Sequence, residues 1–213
     1  MAIFQNAIVT YKAGGITPTT WNPSDKNANI TLSNGNLTGT WSSAANVGMR
    51  ATHPIADGQK LYYEVTLNTV NGSYGICPGV VTSNESLTSN WAGNASCCNW
   101  RKDNSFTYFQ YGTTAESTLT TGNILGIAVT RVGTTVKVYI HLNGTYPIAG
   151  DASSTPNPGA GTNPQGTYTL SSNNICAGCS QRDGTNVITA NFGASAFSYS
   201  VPTDFSAGWG AAK

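Results

Sequence analysis

The stretch Ala190-Asn191-Phe192-Gly193-Ala194-Ser195-Ala196-Phe197-Ser198-Tyr199-Ser200-Val201-Pro202, continuing to Phe205 and Trp209, decides the fold. Phe197, Tyr199 and Val201 alternate with Ser198 and Ser200, the pattern of a strand with one buried face. Pro202 then closes the strand, because proline has no N–H for a ladder. The same alternation recurs upstream. Leu61, Tyr63, Val65 and Leu67 share one face, with Tyr62, Glu64 and Thr66 on the other. Leu125, Ile127 and Val129 alternate with Gly126 and Ala128, and Val136, Val138, Ile140 and Leu142 with Lys137, Tyr139 and His141. No long apolar stripe has helical spacing, and no internal repeat is present. An all-β chain is predicted: two antiparallel sheets packed as a sandwich. Tyr63, Val65, Ile127, Val129, Val138, Ile140, Phe192 and Phe197 are expected in or beside one core.

Turns punctuate the remaining text. Asn34-Gly35, between Ile30/Leu32 and Leu37, is a hairpin signal because both residues tolerate positive φ. Asn71-Gly72 turns the chain into Tyr74-Gly75-Ile76-Cys77. Residues 82–96 read as a polar loop, and Ser96 to Trp100 with Ser105 to Tyr111 as a hairpin. Tyr168 to Leu170, Ile175 to Ser180 and Val187 to Phe192 supply further strands. Residues 150–166 are too rich in Pro and Gly for any element; a structureless loop of that length is usually functional or mobile. Residues 1–18, with the apolar run Ile8 to Tyr11, read as an N-terminal arm or edge strand ahead of a domain over 19–213.

Taken in order, these phrases resemble the SPRY domain family. The closing stretch from Ala190 is similar to that family's last motif, and Gly58-Gln59-Lys60-Leu61-Tyr62-Tyr63-Glu64-Val65 to its early strand. Tyr74-Gly75-Ile76 and the strand ending in Leu142-Asn143-Gly144 follow as the family has them. Trp21 to Thr38 is similar to the opening of SPRY domains in bacterial and bacteriophage proteins. The resemblance implies a concanavalin-like jelly-roll sandwich that binds partners without transforming them.

Composition narrows the function classes. Charged residues are 9% of the chain, against about 25% in ordinary soluble domains. Ten Lys plus Arg against nine Asp plus Glu leave no basic stripe for nucleic acid. Ten Tyr, six Phe and five Trp favour a packed fold over disorder. No stretch reaches the roughly 20 apolar residues of a membrane span, and the start lacks a signal-peptide pattern. The expected localisation is a virion: made in a host cytoplasm and exposed on the particle surface.

The chemistry-bearing residues are few. A glycan hydrolase needs two carboxylates flanking the bond, and no predicted strand carries two acids. Only His53 and His141 could serve a nucleophile as base; the first precedes a proline near a turn and the second lies on a non-core face. No phosphate loop and no clustered calcium ligands occur. No catalytic residue, metal site or cofactor is expected. The five cysteines, Cys77, Cys97, Cys98, Cys176 and Cys179, allow three readings: buried thiols, disulfides within or between chains, or a tetrahedral metal site. Cys97 and Cys98 must point to opposite faces of one strand. At least one disulfide is expected, with Cys98 or Cys179 as a member, and one cysteine without an intrachain partner.

The expected function is that of a non-catalytic virion structural or binding protein of a tailed bacteriophage, a decoration, fibre or adsorption module. The expected partners are other virion proteins, copies of itself and a host-surface glycan. A bacterial glycan-binding lectin is the alternative, and a glycan hydrolase on the same sandwich is the third. In a lectin, Trp91, Trp100, Tyr108 and Tyr111 are the candidates for stacking on sugar rings.

Overall fold

The computed structural model describes residues 18–42, 46–73, 75–89, 91, 97–101, 105–108, 112–115, 118–171 and 174–210. Strands are numbered in chain order. One sheet runs β1 (Trp21–Lys26), β4 (Val47–Pro54), β13 (Ile175–Gln181), β6 (Ile76–Thr82), β7 (Cys97–Arg101), β8 (Ser105–Tyr108), β9 (Gly112–Ala115). The other runs β12 (Gly166–Thr169), β11 (Thr135–Leu142), β10 (Ile124–Val132), β5 (Lys60–Thr69), β14 (Val187–Asn191), β3 (Thr38–Trp41), β2 (Ile30–Ser33). The short β15 (Ser206–Ala207) pairs with β5 in parallel, the one non-antiparallel partner among these strands. No helix occurs among the described residues. The all-β two-sheet sandwich is as expected.

The alternation in the sequence becomes the core. Tyr63 lies opposite Ile127, which lies opposite Ile140. With Val65, Val129, Val138 and Phe192 they are buried between the sheets, beside Trp21, Trp41, Met49 and Trp209. Tyr63 stacks on Phe192 at 5.3 Å and meets Trp209 edge-on at 5.2 Å, geometries the aromatic quadrupole favours. Its hydroxyl donates across the core to the Gly79 carbonyl. Pro23 is tolerated within β1 because β1 is a sheet edge.

Phe197 departs from expectation. It belongs to a second cluster, with Tyr62, Ala128, Tyr139, Tyr146, Val201 and Phe205, on the outer face of the larger sheet. Residues 197–201 are not a strand either. After β14 the chain leaves the sheet, crosses that outer face as a strap, and returns as β15. β14 and β15 both pair with β5, at Glu64 to Thr69 and at Leu61–Tyr62. Alternation survives because a strap laid flat on a sheet also turns every second side chain inward.

Two turn readings also change. The Asn34-Gly35 hairpin has a four-residue loop, 34–37, in which Asn34, Gly35 and Asn36 all have positive φ. Residues 150–166 are anchored. Asn157 and Thr162 exchange backbone hydrogen bonds of 3.0 and 3.1 Å, and Lys137 Nζ donates to Gly161 O at 2.9 Å. The fully buried Gln165 side chain bonds both the N–H and the C=O of Ile140, at 2.7 and 2.8 Å.

Candidate functional site

Three acid–base side chains, Tyr62, Glu64 and His141, meet on the outer face of the larger sheet. Glu64, Gly126 and His141 stand opposite one another on β5, β10 and β11, and Tyr62, Ala128 and Tyr139 form the next row. Glycine at 126 makes the constellation possible, since a Cβ there would overlap His141 Nε2 and the Tyr62 hydroxyl. The hydrogen bonds assign the protons. Gly144 N–H donates to His141 Nδ1 at 3.0 Å, so the ring proton sits on Nε2 and is given to the Tyr62 oxygen at 2.8 Å. Tyr62 in turn donates to Glu64 Oε1 at 3.0 Å. Glu64 also accepts the backbone N–H groups of Ser198 and Tyr199, at 2.8 and 2.9 Å. The strap therefore bonds to a side chain where a strand would bond to a ladder.

These groups are closed off from solvent: Tyr62, Glu64 and His141 expose 0%, 3% and 2% of their surface. Phe197 meets the Tyr62 ring edge-on at 5.0 Å, and Tyr146 and Tyr199 meet His141 at 5.2 and 5.1 Å. Burial pushes the Tyr62 hydroxyl well above its usual range, and the Glu64 carboxylate adds to this. Burial lowers His141 to about 4, against a smaller opposing pull from Glu64. A general acid or base must reach its proton in a bound substrate, and here every acid–base atom is already engaged and covered.

The His141 shift has a pH consequence. Its folded value, about 4, lies below the ordinary 6.5, so the unfolded chain binds that proton more tightly. The stability contributed by neutral His141 is complete above about pH 6.5 and declines as pH falls toward 4. Urea midpoints measured between those limits are expected to fall less steeply for His141→Gln than for the parent; equal slopes would contradict the assignment.

Of the four residues nominated for sugar stacking, Trp91 and Trp100 are enclosed. Trp91 and Trp100 are each 1% exposed, and a ring with no free face cannot stack on a sugar. Trp100 packs in the intersheet core. Trp91 lies on the outer face of the smaller sheet with Val81, Cys97 and Leu87. Its bed is made by two glycines: a Cβ on Gly48 would overlap the indole, and one on Gly178 would stand 2.9 Å from it. Its Nε1 donates to Ser86 O at 2.8 Å. Tyr108 ends β8, and Tyr111 lies outside the described residues.

Arg50 latches the loop that carries Trp91. It makes two bonds to the Asp25 carboxylate, at 2.8 and 2.9 Å, and one to Glu85 O at 2.8 Å. At 5% exposure the guanidinium is buried with its charge matched. Nothing in the local sequence joins Asp25 to Arg50 or Tyr62 to His141, because both pairings are made by strand register.

The cysteine expectation is corrected. All five are buried thiols, none in a disulfide. Cys97 and Cys98 do face opposite ways, Cys98 into the intersheet core and Cys97 under Trp91. The strands converge as anticipated, yet register forbids pairing. Cys97 and Cys176 both lie opposite Val81, on either side of β6. That is two strand spacings, about 9.6 Å, beyond the roughly 7 Å a disulfide spans. Cys98 and Cys179 are likewise separated by β6, and Cys77 lies opposite Ser180, so it points away from Cys179. Burial raises the Cys98 and Cys179 thiols and pushes Cys176 up to about 11. No group of three metal-ligating side chains occurs among the described residues. Thiol labelling near pH 8 is expected to be negligible in the native protein and to reach all five cysteines in denaturant; rapid native labelling, or fewer than five in denaturant, would contradict this.

Neither a protein-family model nor a curated protein matches the sequence. Solved structures do match the architecture. The SPRY domain of human HERC1 superposes with a TM-score of 0.58 at 12% identity, over 80% of this chain and 96% of that one. A second human SPRY domain gives 0.52 at 12% identity, over 79% and 98%. The chain has the SPRY fold. Stonustoxin contains a similar region, with a TM-score of 0.53 at 12% identity over 82% of this chain and 27% of that protein. Within the SPRY sandwich seen here, the closing motif is the strap and the early Tyr62-Tyr63-Glu64 motif is its anchor. Tyr63 supplies the intersheet core, while Tyr62 and Glu64 supply the outer cluster.

Proposed function

We propose that this chain is a non-catalytic binding and assembly module of a tailed bacteriophage particle, displayed on its surface as a decoration, fibre or adsorption element. The non-catalytic part rests on one observation: both oxygens of Glu64 are consumed in holding the strap, with Tyr62 and His141 shut beneath it. The SPRY fold is consistent with a module whose work is done by its surface. The phage context rests on the sequence, through the resemblance of residues 21–38, the 9% charged composition and the polar Thr/Ser/Asn-rich text. A surface with little charge has weak long-range fields, so partner choice falls to shape and neutral hydrogen bonds. The proposed partners are other virion proteins and copies of the chain. Burial of Trp91 and Trp100 removes two of the four aromatics on which the glycan-binding reading leaned.

Three measurements test this. Purified protein is expected to show no hydrolysis across a panel of poly- and oligosaccharides; turnover that disappears in Glu64→Gln would overturn the non-catalytic reading. Electron microscopy of assembled particles is expected to place the sandwich on the outer surface. Deletion of residues 1–18 is expected to abolish incorporation while the sandwich still folds. Particles that lack the protein would overturn the virion reading, and unchanged incorporation of the deletion would overturn the role of the arm.

A further inference from the structure

The sequence holds three Asn-Gly pairs, Asn34-Gly35, Asn71-Gly72 and Asn143-Gly144. In such a pair the asparagine carboxamide can be attacked by the next backbone nitrogen, which carries no crowding Cβ beside it. Local sequence makes the three equivalent. The fold does not.

At Asn143 both reacting groups are tied. The carboxamide oxygen accepts from Ile124 N–H at 2.9 Å, and the Gly144 nitrogen donates to His141 Nδ1 at 3.0 Å. At Asn71 the carboxamide nitrogen, which would be the leaving group, donates to Thr185 O at 2.8 Å and to Thr185 Oγ1 at 3.3 Å. Closing the ring at either place breaks these bonds first. Asn34 is exposed. Among the described residues its only hydrogen bond is through its backbone oxygen, which accepts from Leu37 N at 3.1 Å. Among the described residues nothing beyond its chain neighbours stands within 4 Å of where a Gly35 Cβ would be, and Gly35 is itself exposed.

We propose that Asn34 is a spontaneous modification site, converted to isoaspartate and aspartate in the folded protein while Asn71 and Asn143 are held as asparagine. Gly35 N attacks Asn34 Cγ, and the bond from Cγ to the carboxamide nitrogen breaks. The proton lost from Gly35 N ends on the departing nitrogen, which leaves as ammonia. The succinimide that remains is opened by one water. Attack at Cγ gives aspartate; attack at the main-chain carbonyl gives isoaspartate. No electron transfer is involved.

The consequence reaches the core. Asn36 O and Leu37 O hold the backbone and indole N–H groups of the buried Trp21, at 3.0 and 2.9 Å. Isoaspartate lengthens the backbone of that loop by a methylene and adds a negative charge, so it loosens the anchor of edge strand β1. The site is a clock that runs in the folded molecule.

The test is incubation of the full-length protein at mildly alkaline pH, native and in urea, read by peptide mass mapping and by isoaspartyl-methyltransferase labelling. In the native protein Asn34 is expected to react first, with Asn71 and Asn143 slowed by about fivefold for each bond that must break. In urea the three rates are expected to converge. Asn34→Gln is expected to remove the early isoaspartate signal. Native reaction led by Asn71 or Asn143, equal native rates at the three pairs, or the same ranking in urea as in the native state would each overturn the proposal.

Discussion

Replacing Glu64 by alanine is expected to free the strap over residues 193–205 and to lower the stability of the fold by about 3–5 kcal/mol. Three donors converge on this carboxylate: the Tyr62 hydroxyl and the N–H groups of Ser198 and Tyr199. Each buried donor left without an acceptor costs about 1–3 kcal/mol, and water entering a relaxed strap recovers part of that. Glu64→Gln keeps one acceptor oxygen but turns an amide N–H₂ toward one donor, so an intermediate loss is expected. The measurements are urea unfolding and limited proteolysis. New cleavage between Gly193 and Phe205 that precedes global unfolding would show strap release. A stability loss below about 1 kcal/mol, the range of an ordinary surface substitution, would mean the strap is held by its aromatic contacts alone.

Trp91→Ala is expected to cost about 3–5 kcal/mol, the range for removing a buried large aromatic. The indole fills the bed over Gly48 and Gly178 and holds the loop around Ser86 through its bond to Ser86 O. Its loss also uncovers Cys97, whose thiol donates to Trp91 O at 2.6 Å, so that cysteine is expected to become reactive to thiol reagents in the native state. A residue serving only as a ligand platform would behave oppositely, with binding lost and stability kept. Equilibrium unfolding combined with thiol labelling separates the two. An unchanged unfolding midpoint would return Trp91 to the list of ligand-binding candidates.

The smaller perturbations depend on the same geometry. Gly48→Ala and Gly178→Ala place a methyl group against the indole or Val81, so each is expected to behave as an overpacking change of about 1–3 kcal/mol. Their effects are not expected to add with Trp91→Ala, since both act through one contact.

Strand-forming text determined the architecture. Alternation at Leu61 to Leu67, Leu125 to Val129 and Val136 to Leu142 put one apolar face on each strand, and those faces became the intersheet core. A side chain's face depends only on position along its own strand, so a local pattern is enough. The opposed directions of Cys97 and Cys98 were legible for the same reason. The Asn34-Gly35 turn was legible as a turn, but its four-residue length was not, because loop length is set by where pairing begins.

Tertiary structure alone decided what the outer faces do. Tyr62, Glu64 and His141 are spaced across β5 and β11, and the 193–205 segment meets them through register and a glycine at 126. Phe197, Tyr199 and Val201 alternate as a strand would, yet they lie on the far side of a sheet from the core. Their alternation specifies one buried side but not which surface buries it. The cysteines fail to pair for a related reason: sequence brought their strands into one sheet, and register set them two strands apart. Local sequence carries the period of a side chain along its own strand, whereas the distance to a partner on another strand exists only once the sheets are assembled.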